Sequence, residues 1–134
     1  MSIETDIPDL LFIHVTAFNS TIQVVLPNIE FTPTQETYLE VQHLPNANLN
    51  LYVRDDDPTV YVGLLQITVV AQAGDGEIQP RVLAAQVAEH FSKGTRLQRG
   101  SVIVRIYSRP SIATLIKDGD RVRVPVIIQY RSSG

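Results

Sequence analysis

The chain reads as a single α+β domain: a mostly antiparallel or mixed β-sheet with two helices packed on one face. Three observations predict it. The length of 134 residues suits one domain over 1–134 with its own core. The segments 101–108 and 121–130 alternate apolar and polar residues with period two, as half-buried strands do. Two other segments, Ile7 to Phe18 and Ile78 to Ser92, carry apolar residues at helical spacing instead.

Taken in order, Ile7 to Phe18 places Leu10, Leu11, His14, Val15 and Phe18 at helical spacing, with Pro8 expected in the first turn and Asp6 as a cap. Thr21 to Val25 is a short strand stopped by Pro27. Thr37 to Leu44 alternates Leu39 and Val41 with Glu40 and Gln42, and Pro45-Asn46 breaks it. Tyr61 to Gln72 is apolar on both faces, which predicts a central strand. A second helix near Ile78 to Ser92 carries Leu83, Ala84, Val87, Ala88 and Phe91 as a stripe, with Pro80 in its first turn and Gly94 past its end. Val102, Val104 and Ile106 share one face of the next strand. Val122, Val124, Val126, Ile128 and Tyr130 share one face of the last, where Pro125 predicts an edge position or a bulge. A sheet with helices on one face leaves the other free.

Composition excludes several classes. The chain is 44% hydrophobic with no Cys, so disulfides, thiolate metal sites and cysteine nucleophiles are absent. Met1 to Asp9 has three acids and no base, unlike a secretory signal, and no apolar run is long enough to span a membrane. Charge is divided along the chain. Residues 1–60 hold nine acids and one base, residues 61–134 five acids and ten bases, so the two parts carry −8 and +5. A domain with opposite signs on different surfaces attracts a copy of itself head to tail, unless the charges interleave on folding. The excess of base is too mild for a nucleic-acid footprint.

No catalytic constellation emerges. Gly74-Asp75-Gly76-Glu77-Ile78-Gln79 has the strand-to-helix context of a dinucleotide loop, but Gln79 replaces the third glycine and two acids would face the phosphate. His14, His43 and His90 have no metal spacing, and no nucleophile elbow or zinc-protease motif occurs. Catalytic and cofactor-binding residues are therefore none. Asp55, Asp56 and Asp57 are the candidate ligands for a divalent cation such as Mg²⁺, without the glycine and closing Glu of an EF-hand, and a solvated acidic loop accounts for them as well. The candidate interface residues are Arg54, Asp55, Asp56 and Asp57 on one side, and Lys93, Arg96, Arg99, Arg105 and Arg109 on the other.

One ordered set of short motifs resembles the phage tail-terminator-like family of long-tailed bacteriophages. It runs through Phe31-Thr-Pro33, Tyr38-Leu-Glu-Val41, Tyr61-Val-Gly-Leu-Leu-Gln-Ile-Thr-Val69, Ala71 and the Gly74/Gly76 turn. It continues through Ala84, Val87, Ala88, Phe91-Ser-Lys-Gly-Thr-Arg-Leu97, Asp118-Gly119 and Val124-Pro-Val-Ile-Ile-Gln-Tyr130. Residues 1–30 match poorly. The resemblance implies a virion structural protein and no enzyme: a ring, usually of six copies, that caps the tail tube, stops tail polymerisation and offers a surface to head-completion or connector proteins. It also implies DNA passing through the channel without sequence-specific binding, no membrane, a place at the head-proximal end of the tail, and assembly in the host cytoplasm. The particle can be a phage, a prophage remnant or a gene transfer agent. Two other readings fit the residues: a head–tail joining protein of the same particle, and a small monomeric ligand-binding α+β domain.

Overall fold

The computed structural model describes residues 3–18, 22–27, 37–45, 60–74 and 78–133. In chain order the elements are α1 (Ile3–Thr16), β1 (Gln23–Val25), β2 (Tyr38–Pro45), β3 (Val60–Gln72), α2 (Ile78–His90), β4 (Arg96–Arg99), β5 (Val102–Ile106), β6 (Ser111–Ile112), β7 (Ile116–Asp118) and β8 (Arg121–Ser133). The strands form one sheet ordered β1-β2-β3-β8-β5-β4, with β6 and β7 also pairing β8. Only the β1–β2 pair, among those described, is parallel. The class is the α+β domain expected.

The spine is the long antiparallel pair β3–β8, in register from Val60↔Ser133 to Gln72↔Arg121. Because side chains alternate along a strand, this register sorts them into two faces. Leu65, Ile67 and Val69 of β3 stand opposite Ile128, Val126 and Val124 of β8, and all six are fully buried. Leu39 and Val41 of β2 and Val104 and Ile106 of β5 extend the same face. Onto it pack Ile7, Leu11 and Val15 of α1 and Ala84, Val87 and Ala88 of α2, followed by Phe91, to form one core. Each large aliphatic side chain buried there contributes roughly 1.5–3 kcal/mol.

Three local details depart from the sequence reading. Helix α1 begins at Ile3, so Pro8 lies inside it, and Asp6, expected as a cap, is a helical residue with a buried side chain. Pro8 has no N–H for the carbonyl of Glu4, a loss the apolar stripe outweighs by docking the helix on the sheet. Second, β8 is an interior strand. Pro125 is tolerated there because its carbonyl accepts from Ala113 N at 2.8 Å, which turns its missing N–H toward the same side, between the short strands β6 and β7. Third, β3 is buried on both faces only toward its C-terminal end, where Thr68 and Val70 join Ile67, Val69 and Ala71.

Gly63 makes room for the largest buried side chain. It stands opposite Tyr130, and a Cβ at that position would lie 2.5 Å from the Tyr130 hydroxyl and 2.8 Å from its ring. The Tyr130 hydroxyl lies 2.7 Å from Nε2 of His43. Burial raises the Tyr130 pKa to about 12 and lowers that of His43, so both are neutral near pH 7.

The two helix ends are tied together by a reciprocal pair of histidines. The His14 and His90 rings stack 3.9 Å apart at 11°. Nε2 of His14 donates to the carbonyl of His90 at 2.8 Å, and Nε2 of His90 donates to the carbonyl of His14 at 2.7 Å. Both carbonyls are in the last turn of their helices, where partners run out. The N–H groups four residues on are committed elsewhere: Phe18 N bonds Val15 O, and Gly94 N bonds Ile106 O.

Candidate assembly surface

Among the described residues, no helix lies on the second face of the sheet. Its residues near the β4 edge are Arg96 and Gln98 of β4, Ile103 and Arg105 of β5, Gln129 and Arg131 of β8, and Val62 and Leu64 of β3. Register aligns three of the cations: Arg96 stands opposite Arg105, and Arg105 opposite Arg131. Neighbouring strands are about 4.8 Å apart, so the three α-carbons span about 10 Å in one row across the sheet. Like charges directly opposite destabilise a sheet, so the fold gains nothing from this arrangement.

The row is extended on one side. Gly94, in the left-handed region at φ 95°, closes α2 and donates to Ile106, which sets Lys93 beside Arg96 and Arg105. Lys93, Arg96, Arg105 and Tyr107 line a shallow depression of about 260 Å³. Lys93 and Arg109 line a second of about 380 Å³, together with Glu89 and Ser92. Arg131 is held over the exposed ring of Tyr107, 5.0 Å from its centroid, and the Tyr107 hydroxyl donates to Gln129 at 3.1 Å. Among the described residues, no carboxylate forms an ion pair with Lys93, Arg96, Arg105, Arg109 or Arg131.

Four of the cations singled out in the sequence thus lie together, and Arg99 does not. Its place in β4 is opposite Val102, so it points to the helix side and binds Asp9 at 2.6 Å and Asp6 at 3.3 Å. The Asp9 contact, then Asp6, holds its guanidinium pKa up. Arg99 ties α1 to the sheet edge. Arg54, Asp55, Asp56 and Asp57 lie outside the described residues, as do Asp75, Gly76 and Glu77 of the glycine-containing turn. Arg131 lies beyond Tyr130, where the sequence pattern predicts the last strand to end; the strand continues to Ser133, with Ser132 buried and donating to Ile103 O at 2.7 Å. Continuing the alternation by two residues would have placed Arg131 on the open face.

A second charged group lies toward the far end of the same face. Arg123 binds Glu40 at 3.0 Å and Asp118 at 3.1 Å, with Glu40 chiefly responsible for raising its pKa. Here the cation is paired within the chain by two carboxylates, which leaves the group at −1. Elsewhere, a depression of about 440 Å³ beside α2 is lined by Thr37, Ala71, Gln79, Pro80, Val82, Leu83 and Gln86, none of them ionisable. No group of three or more His, Asp or Glu side chains among the described residues is placed to hold a metal ion. Among the described residues, no helix is long and apolar enough to cross a membrane.

A packed core with an open, charged sheet face defines a domain whose chemistry lies on its outer surface. The profile of the family described as phage tail terminator protein matches residues 7–130, and the chain belongs to that family. It is a structural protein of the virion tail. Among the solved structures that share its fold are two that align with most of the chain. One, which carries no functional description, is 24% identical with a TM-score of 0.73, over 93% of this chain and 94% of that one. The other is a chain from the virion of a native gene transfer agent particle, 16% identical with a TM-score of 0.56, over 90% of this chain and 84% of that one. A search of curated proteins returns no match.

Proposed function

We propose that the protein closes the head-proximal end of the tail tube as a ring, usually of six copies, which halts tube growth and presents a surface to head-completion proteins. The observation that carries this reading is the open sheet face: a family member with a well-filled core leaves a row of exposed cations unpaired by any carboxylate among the described residues. Such a surface is satisfied by another macromolecule and offers no nucleophile or general base to a small substrate.

Size is compatible with the task. A 134-residue domain has a radius of gyration of about 14 Å, equivalent to a sphere of about 18 Å radius. Six such spheres in contact enclose a hole of about that same radius, wide enough for a duplex on the order of 20 Å across. One face of the ring binds the last layer of tube, and the other refuses a further tube subunit. The action is steric, with no covalent step and no cofactor.

Deleting the gene from its particle tests the reading. Overlong tails are expected, because nothing stops polymerisation. Tails of normal length beside detached heads would assign the protein to head–tail joining instead.

A further inference from the structure

We infer that the cationic row Arg96–Arg105–Arg131, with Lys93 and Arg109 at its side, is one half of the contact between copies, and that its occupant is the acidic first part of a second copy. The inference rests on the assembly reading and adds to it the surface, the polarity of the contact and the partner's chemistry.

Three observations support it. The row is an expense to the monomer: it sets arginines directly opposite one another on adjacent strands, exposed and, among the described residues, without a carboxylate. The chain itself supplies the complement, since residues 1–60 carry −8. Part of that charge is committed internally, Asp6 and Asp9 to Arg99 and Glu40 to Arg123. The run Asp55-Asp56-Asp57 is the densest acidic stretch in the sequence. Third, the surface presents guanidinium groups suited to planar acceptors. Arginine presents a fork of donors to a carboxylate, and the Tyr107 ring holds the Arg131 guanidinium in place. A contact joining a basic surface on one copy to an acidic surface on the next is heterologous, the kind that closes a ring when its rotation divides a circle. A polyanion such as duplex DNA is the other chemistry that fits five cations. It is disfavoured by the overall charge of −3, which repels a phosphate backbone at long range.

The test uses two full-length variants, each checked for an unchanged far-UV circular dichroism spectrum and thermal midpoint. One is Arg96→Glu with Arg105→Glu and Arg131→Glu, and the other is Asp55→Lys with Asp56→Lys and Asp57→Lys. Mass in solution is read by light scattering at low ionic strength. Wild type is expected to assemble, and each variant alone to run near the single-chain 14.9 kDa. An equimolar mixture is expected to recover the wild-type mass. In the mixture every contact joins opposite signs again, provided the two variants alternate. Variants that assemble like wild type overturn the inference, as does a mixture that stays at single-chain mass, or a wild type that never assembles. Loss of duplex DNA binding by the arginine variant with its assembly intact would overturn it in favour of DNA. None of these results bears on tail length in the gene deletion, so the surface and the terminator role fail separately.

Discussion

Gly63 and Tyr130 show how one residue can set the packing of a sheet. The Tyr130 ring lies across the β3 backbone at the one inward position without a Cβ, and its hydroxyl reaches His43. Gly63→Ala therefore drives a methyl group into a ring that is only 2% exposed and has nowhere to move. A loss of about 1–3 kcal/mol is expected, typical of overpacking, and is read as a fall in midpoint in urea at unchanged slope. Tyr130→Phe removes only the hydroxyl and leaves His43 without that partner; it should cost about 1 kcal/mol. If Gly63→Ala is neutral, the close approach is not a constraint. Neither contact could be read from the sequence, because Gly63 and Tyr130 meet only through the register of two strands far apart in the chain. Arg131 and Arg99 teach the same lesson about charge. Both are arginines on strands, yet one binds two carboxylates of α1 while the other stands over a tyrosine on the open face. Strand alternation decides which, and it was legible for Arg105, between buried Val104 and Ile106, but not beyond Tyr130 where the reading stopped.

Among the elements, those with strong periodicity were legible and those held by context were not. β5 and β8 show in the structure the alternation seen in the sequence, and α2 buries its Ala84, Val87 and Ala88 stripe. β6 and β7 are two and three exposed residues long, so they carry no pattern and exist only because β8 offers them an edge. The parallel β1–β2 pair likewise has no local signature. Pro8 ordinarily marks a first turn, but in α1 packing carries the helix back to Ile3 and leaves Pro8 inside it. The joint between α1 and α2 is sensitive to pH. Burial lowers the His14 pKa, a proximal His90 lowers it further, and the hydrogen bond to the His90 carbonyl only partly offsets them; burial also lowers that of His43. A histidine whose folded pKa is depressed binds its proton more readily in the unfolded chain, so its contribution is complete above the unfolded value of 6.5 and is lost as pH falls below it toward the folded value. The thermal midpoint should be flat from pH 8 to 7 and decline between pH 6.5 and 5. His14→Gln should flatten that decline. A midpoint that rises on acidification would contradict the burial of these rings.

For the whole molecule, the division of charge becomes a prediction about association. Contacts between an exposed cation row and an acidic segment weaken as salt shortens the screening length from about 8 Å at 0.15 M to about 3 Å at 1 M. Assembly of the isolated protein should therefore weaken steeply with added NaCl, while the thermal midpoint of the single chain, set by its apolar core, changes little. Assembly that strengthens with salt would point instead to the exposed apolar residues of α2, Ile78 and Val82, as the main contact. The central claim is that this domain works as a ring that ends a tube. Electron microscopy of the isolated protein at low salt, with particle mass measured on the same sample, tests it most directly. The account predicts an annulus with a stain-filled centre and a mass near six times 14.9 kDa. Compact particles of one or two chains, with no central hole, would contradict it.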